Sequence, residues 1–207
     1  MTYRLYYSEP SAAMGVRAIL EEIGTPYELV WTDISSPTWR DPALLAANPN
    51  GWIPVLAWEN SSIYECGAIT VLLCDRHPEA ALAPAASDPD RGLFLQWLFY
   101  FSSSVQVAYQ MSYHTKRFCA ATKDEDSVRQ RSARRLEEVW QVVDDAIGEN
   151  SWLLGERFSA IDIYLYMLTT WLSPKYGHPV IDRFANVQRV AASAATRPAV
   201  RGVFQPD

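Results

Sequence analysis

The chain has few of the residues that mark several common classes of protein. Its 207 residues include 3 cysteines, Cys66, Cys74 and Cys119, and no C-x-x-C pair. A disulfide framework is therefore not expected, and the cytoplasm, a reducing compartment, is the expected location. The 3 histidines lie far apart in the sequence, so we expect no metal site. The sequence also contains no P-loop, G-x-G-x-x-G or G-x-S-x-G motif.

Positive charge is also scarce. The chain has 18 Lys and Arg residues against 24 Asp and Glu residues, which gives a net charge of -6. Its basic residues form no block longer than a short pair such as Arg134 and Arg135. Because a nucleic-acid backbone is bound by clustered cations, we expect no nucleic-acid partner. The start, "MTYRLYYSEP", lacks the apolar segment of a secretory signal, and we expect none.

One long segment lacks charge altogether. Between Arg91 and Lys116 there is no Asp, Glu, Lys or Arg. Its length suits a membrane span, but Gln and Ser residues interrupt it, and a span requires about 20 predominantly apolar residues. A helix buried on several sides, against its own domain and against a partner or a cleft, explains the segment better. We therefore expect no membrane partner and predict a homodimer.

The composition that remains is that of a globular protein, with 49% hydrophobic and 13% aromatic residues. The first part of the chain alternates strand patterns with helix patterns. We predict strands at 2–8, 26–34, 53–58 and 61–65, and helices at 11–24, 41–48 and 66–77. The predicted order is βαβαββα.

The second part of the chain has a different organisation. A stretch rich in Pro, Ala and Asp covers residues 78–90, and only helical patterns follow it. The sequence thus predicts an α/β domain at 1–80, a linker at 81–90 and an all-α domain at 91–207. Within the last, "FSAIDI" places Ser159 three residues before Asp162, and we interpret this pair as a structural capping box.

Two neighbouring motifs indicate a family. Pro54 stands inside the strand pattern "GWIPVL", where a β-ladder would lose a donor. "NPNGWIPVL" resembles the N-P-x-G-x-V/I-P-x-L motif of cytosolic, bacterial-type glutathione transferases. "YECGAI" resembles their E-S-x-A-I motif, with Cys66 in the place of serine. The resemblance covers essentially the whole chain and implies a thioredoxin-like α/β domain followed by an all-helical domain. It also implies a cis bond before Pro54, whereas a trans proline at an edge strand is the alternative.

The resemblance implies a site for glutathione, used as a co-substrate. In that family the backbone of the residue before the cis proline, here Ile53, pairs with the tripeptide as an added strand. The helix start at Cys66 and Gly67 is expected to bind a carboxylate, and Glu65 to accept from an ammonium group. The alternative for Glu65 and Cys66 is an ordinary helix start.

The same family activates the substrate thiol through a hydrogen bond from Tyr, Ser or Cys in the first strand-to-helix turn. Here that turn is "YYSEPSAAMGVR", which has no cysteine, since Ala12 stands about where the cysteine-bearing bacterial classes have theirs. We predict Ser11 as the donor, then Tyr7, then Ser8. The alternative for Ser11 is a helix cap, and the two roles can coincide.

The charge-free helix is expected to supply the contacts to a small hydrophobic electrophile. Two functions remain open from the sequence. One is a glutathione-dependent enzyme that transfers, isomerises or reduces, for example in detoxification. The other is a non-catalytic binding or interaction protein with the same fold. The residues predicted to contact the electrophile are Tyr100, Ser104, Gln106, Tyr109 and Tyr113.

Overall fold

The structure, a computed structural model, describes residues 2–36 and 40–205. These residues form two compact units. The first comprises the described parts of Met1–Ser87 and Thr196–Asp207, and the second comprises Asp88–Ala195. Residues 81–90 contain no helix or strand, and the first unit's leading segment ends among them.

The first unit is built on a mixed four-stranded sheet with the strand order β2-β1-β3-β4. Strands β1 and β2 are parallel, whereas β3 is antiparallel to β1 and to β4. This order of elements confirms the predicted βαβαββα pattern. The elements are β1 Tyr3–Tyr7, α1 Ala13–Ile23, β2 Tyr27–Trp31, α2 Pro42–Ala47, β3 Val55–Trp58, β4 Ser61–Tyr64 and α3 Cys66–Arg76.

The core of the first unit lies where α1 and α3 meet the central strands. Leu5 and Leu56 are opposite each other in the β1–β3 pair, and both are fully buried. Ile19 of α1 and Ile69 of α3 are also buried. Gly24 ends α1 in the left-handed conformation at φ 72, which glycine adopts without a steric cost.

The charge-free segment of the second unit is helical from Gly92 to Tyr113, as predicted, but it is not a uniform α-helix. Helix α4 (Arg91–Tyr100) continues through a π-helical turn, Phe101–Val105, into α5 (Gln106–Tyr113). The Ser102 and Ser103 hydroxyls donate to the Phe99 carbonyl at 3.2 and 2.7 Å. Such side-chain bonds compete with the backbone ladder. Across residues 2–36 and 40–205, no helix combines the length and apolarity of a membrane span.

The other α-helices of the second unit are α6 (Glu125–Ile147), α7 (Ala160–Thr169) and α8 (Ala185–Ala195). Every residue of α7 is buried. Its start confirms the predicted capping box, because the Ser159 amide and hydroxyl donate to Asp162 Oδ2 at 2.9 and 3.1 Å. The Leu153 amide also donates to Asp162, at 3.0 Å to Oδ1.

The last helix, α9 (Pro198–Phe204), belongs to the first unit and packs against α1. Just before it, Arg197 forms a bidentate ion pair with Glu22 of α1. Its Nε donates to Oε1 at 2.6 Å, and its Nη2 donates to Oε2 at 2.7 Å. We predicted a helical domain that extends to residue 207. Residues 206 and 207 lie outside the described part of the chain. Helical periodicity at 198–204 did not indicate the unit on which this helix packs.

Candidate functional site

The proline that interrupts the strand pattern is preceded by a cis peptide bond, Ile53–Pro54, as the family resemblance implied. Strand β3 begins only at Val55, so Pro54 lies outside the ladder. Ile53 is partly exposed. Within the described chain, neither its amide nor its carbonyl has a hydrogen-bond partner. An extended segment can therefore pair with this residue as an added strand.

The turn from β4 into α3 holds a residue in a rare backbone conformation. Glu65 has φ 73 and ψ 115, a region that residues other than glycine seldom occupy. Such residues cluster at ligand sites, where the surrounding structure maintains them. The Glu65 side chain is exposed and does not cap α3. The first-turn amides of α3, from Cys66 and Gly67 onward, therefore receive no side-chain cap from Glu65.

Cys66 faces the interior rather than the surface. Its side chain is buried, and Sγ lies 3.8 Å from the Ala12 carbonyl oxygen. This contact joins the start of α3 to the residue that precedes α1. A ligand contact from Cys66 would accordingly come from its backbone amide and not from its thiol.

The first loop places its predicted catalytic hydroxyl in an internal network. Ser11 Oγ donates to the Ser8 carbonyl at 2.6 Å and accepts from the Ala13 amide at 3.2 Å. Because a hydroxyl has one hydrogen, a bond to a thiolate would require Ser11 to release Ser8. The loop also contains a second cis bond, Glu9–Pro10, which the sequence did not predict.

The other two predicted donors, Tyr7 and Ser8, lie at the end of β1. Tyr7 ends β1 opposite Trp31, and Ser8 follows it. Both are partly exposed, and in the part of the chain described here neither hydroxyl has a partner. Strand pairing of β1 with β3 also brings this loop near Pro54, since the last pair is Tyr6 with Val55. The predicted residues of the first unit thus converge at one end of the sheet.

Arg40 is a residue of this region that the sequence analysis missed. Its Nε donates to the Gly51 carbonyl at 2.9 Å, and its guanidinium lies over the Trp52 ring, 4.8 Å from the centroid. A Cβ on Gly51, which has φ 67, would meet Arg40 Cγ at 2.9 Å. Arg40 therefore packs on the segment that leads into Ile53 and brings a positive charge to it. A single arginine in a polar stretch carries no sequence signal for this placement.

The residues predicted to contact the electrophile divide into buried and accessible ones. Tyr109 is fully buried and accepts from Trp140 Nε1 at 3.1 Å. Burial raises the pKa of Tyr109 well above its usual value. Tyr109 thus lies in the core of the second unit and does not reach its surface. Helical spacing alone did not show that this side chain points towards α6.

The other four residues predicted to contact the electrophile are partly or well exposed to solvent. Tyr100 donates to the Val139 carbonyl at 3.5 Å, and the Gln106 side-chain oxygen accepts from Tyr164. Tyr113 donates to the Trp171 carbonyl. Only the Ser104 hydroxyl has no partner among the described residues. Residues 2–36 and 40–205 contain no group of three His, Cys, Asp or Glu side chains placed to hold a metal ion.

Comparisons with known proteins agree with this geometry. The family model for the glutathione S-transferase N-terminal domain matches residues 5–81. Glutathione S-transferase GstA of Escherichia coli O157:H7 is 25% identical over 170 residues, which cover 81% of each chain. Glutathione S-transferase-like protein gedE of Aspergillus terreus is 30% identical over 159 residues, 72% of this chain and 69% of that protein.

A solved structure gives the same result for the fold. A sphingomonad glutathione S-transferase complexed with glutathione superposes with a TM-score of 0.81 at 26% identity, over 97% of this chain and 96% of the other. Its fold matches the predicted thioredoxin-like domain followed by a helical domain. Together, these matches and the cis-proline motif show that the chain belongs to the glutathione S-transferase family.

Proposed function

We propose that the protein is an enzyme that binds glutathione on its first unit and activates the thiol for reaction with a small hydrophobic electrophile. One observation carries this proposal. Ile53 is held outside the ladder, and neither of its backbone groups has a partner in the described part of the chain; it lies at the end of the sheet to which the first loop also leads. An extended tripeptide that pairs there would have its central cysteine near candidate hydroxyl donors.

The charges around Ile53 support glutathione in particular. Glutathione carries a carboxylate and an ammonium group at its γ-glutamyl end and a second carboxylate at its glycine end. The α3 start at Cys66 and Gly67 suits the first carboxylate, since helix amides and the helix dipole favour an anion. We propose that Glu65 accepts from the ammonium group and that Arg40 attracts the second carboxylate.

Thiol activation requires a donor that favours the thiolate. A free thiol has a pKa of about 8.5, and lowering it by two units takes about 2.7 kcal/mol. The hydroxyls of Tyr7 and Ser8 have no partner among the described residues, which favours these two, whereas the bond from Ser11 to Ser8 makes Ser11 a weaker candidate than the sequence suggested. For the electrophile, the accessible residues Ser104 and Tyr113 are the proposed contacts.

A non-catalytic glutathione-binding protein is the second candidate function. It is favoured by the hydrogen bonds of the Ser11 hydroxyl, which donates to the Ser8 carbonyl and accepts from the Ala13 amide at the start of α1. The hydroxyl is thus already used within the loop. In this alternative the tripeptide site is kept, and no side chain lowers the thiol pKa.

We further propose that the protein is a homodimer of the cytoplasm. Leu93, Phe99 and Val107 are exposed along the charge-free helix, with Phe99 at 59%. A second copy that covers this uncharged surface would remove it from water. No disulfide joins the three cysteines, all of which lie in the described residues, and this suits a reducing compartment. Light scattering that shows a monomer at micromolar concentration would contradict the dimer.

The proposed activity is tested by thiolate absorbance and by conjugation. The protein is mixed with glutathione, the thiol of the bound tripeptide is titrated, and the rate with an activated aryl halide is measured. Tyr7→Phe, Ser8→Ala and Ser11→Ala are compared with the wild type. Loss of the activating hydroxyl should raise the thiol pKa, because it removes a hydrogen bond that stabilises the thiolate by about 1.5–3 kcal/mol. Glutathione binding with an unshifted thiol pKa and no conjugation by the wild type would favour the binding protein.

A further inference from the structure

The second unit contains a groove with a local excess of positive charge. The groove has a volume of about 520 Å³ and lies between one face of α6 and the turn Pro174–Tyr176. Three cations line it, Arg129, Arg134 and Lys175, against one carboxylate, Asp126. The charged lining therefore sums to +2, three minus one, in a chain with a net charge of -6.

The α6 wall of the groove follows from helical spacing. Positions 126, 130 and 134 are four residues apart, and 129 and 133 lie between them on the same face. Ala133 is the small residue of this face. Its short side chain leaves room between the longer ones, so the arginines border an open space instead of filling it.

The opposite wall is a turn that the interior of the unit fixes in place. His178 is buried directly after the turn. Its Nδ1 accepts from the Ser173 amide at 3.2 Å, and its Nε2 lies 2.7 Å from the Ser112 hydroxyl on α5. Gly177 closes the turn at φ 73, a conformation that suits glycine. Lys175 is thus presented from an anchored segment.

Several donors of the groove have no partner among residues 2–36 and 40–205. Neither Arg134 nor Lys175 forms an ion pair or hydrogen bond within the described residues. By contrast, Arg131 and Arg135 on the same helix both reach Glu138, at 2.8 and 3.1 Å. The Tyr176 hydroxyl is likewise without a partner in the described chain, while its ring packs 4.7 Å from the Tyr113 ring.

We propose that this groove binds a small polyanion whose charged groups are phosphates or carboxylates. Guanidinium groups match both kinds of oxyanion by paired hydrogen bonds, and lysine adds a point charge. A volume of about 520 Å³ is in the range of small-molecule sites. The groove is built entirely from the second unit, so this inference does not depend on the proposed glutathione site.

The test is calorimetric titration of the full chain at low ionic strength with pyrophosphate and, separately, with citrate. We expect saturable binding with one ligand per chain, and the tighter probe identifies phosphate or carboxylate as the preferred group. The double variant Arg134→Gln/Lys175→Gln should weaken binding about tenfold or more. Arg131→Gln, which removes the same kind of charge from the same helix outside the groove, should change the affinity less than about twofold.

The proposal is overturned if neither probe binds saturably at millimolar concentration. It is also overturned if Arg131→Gln, which removes one positive charge, weakens binding by half as much in free energy as the double variant, which removes two. The anion would then be attracted by the overall charge of the helix and not by the groove. Thermal unfolding of each variant establishes that it is folded. A folded double variant with wild-type affinity places the anion elsewhere and contradicts the proposal as well.

Discussion

The thiol of Cys66 lies 3.8 Å from the carbonyl oxygen of Ala12 and thereby joins the starts of two helices, α3 and α1. Both helix starts belong to the proposed glutathione site, one for a carboxylate and the other next to the thiol-activating loop. A sulfhydryl is a weak donor, so the contact positions these segments at a modest gain in stability.

A pair of substitutions measures that contact. Cys66→Ser keeps a donor towards Ala12, whereas Cys66→Ala removes it and leaves the buried carbonyl without this partner. We expect the alanine variant to have the lower free energy of unfolding, by about 0.5–1.5 kcal/mol, as measured by urea denaturation. Both variants retain the backbone amide and should weaken glutathione binding less than loss of the Glu65 charge does. A serine variant that is less stable than the alanine variant would contradict this role for the thiol.

Substitutions of Glu65 separate the backbone strain at this position from the role of its carboxylate in binding. Its φ of 73 is strained for glutamate and easier for glycine. Glu65→Gly should therefore have a free energy of unfolding about 0.5–1 kcal/mol above that of Glu65→Gln. Both variants lose the carboxylate and should bind glutathione about tenfold more weakly than the wild type. Equal affinity of wild type and Glu65→Gln in calorimetry would remove Glu65 from the site.

Asp162 should give the protein a pH-dependent stability. Burial raises the pKa of this carboxyl from 3.8 to about 6. Between these values the folded protein binds the proton more tightly than the unfolded chain, so the contribution of Asp162 to the free energy of unfolding falls as the pH rises. The contribution is fully present near pH 4 and is lost above pH 6, a change of up to about 3 kcal/mol.

The control for that prediction is Asp162→Asn, which cannot titrate and cannot accept all of the bonds from Leu153 and Ser159. The variant should be less stable than the wild type throughout, and the difference should shrink between pH 4 and pH 6. Chemical denaturation at several pH values measures it. A difference that stays constant over this range would show that Asp162 does not titrate there.

The ion pair between Glu22 and Arg197 should stabilise the attachment of α9 to α1. The pair is bidentate, and the Glu22 side chain is only 10% exposed. Glu22→Gln should therefore lower the free energy of unfolding by about 1–2 kcal/mol. The matched control is Glu138→Gln, which breaks exposed pairs on α6 and should cost less than about 1 kcal/mol. Equal losses in urea denaturation would mean that the Glu22 pair is an ordinary surface pair.

Features that depend on local sequence were predictable here. The strand and helix order of the first unit follows from periodicity and the capping box of Ser159 with Asp162 from a short motif, whereas the cis bond before Pro54 was implied by the family resemblance of "NPNGWIPVL". Each is determined by residues a few positions apart. This explains why the local sequence sufficed for these features of the fold.

Features that depend on packing were not predictable. The positive φ of Glu65 is maintained by its surroundings, because no local preference of glutamate favours it. The direction of the Tyr109 side chain depends on Trp140, 31 positions away in the sequence. The Ser11 hydroxyl had two possible orientations, and only the path of the loop at Ser8 distinguishes them.

The central claim is that glutathione binds as an added strand at Ile53, and a crystal structure of the protein with glutathione tests it most directly. The account predicts that the cysteinyl backbone of glutathione pairs with the Ile53 amide and carbonyl. It also predicts a carboxylate at the Cys66 and Gly67 amides, and the sulfur near the loop that contains Tyr7 and Ser8. Glutathione bound elsewhere, with Ile53 unpaired, would contradict the account.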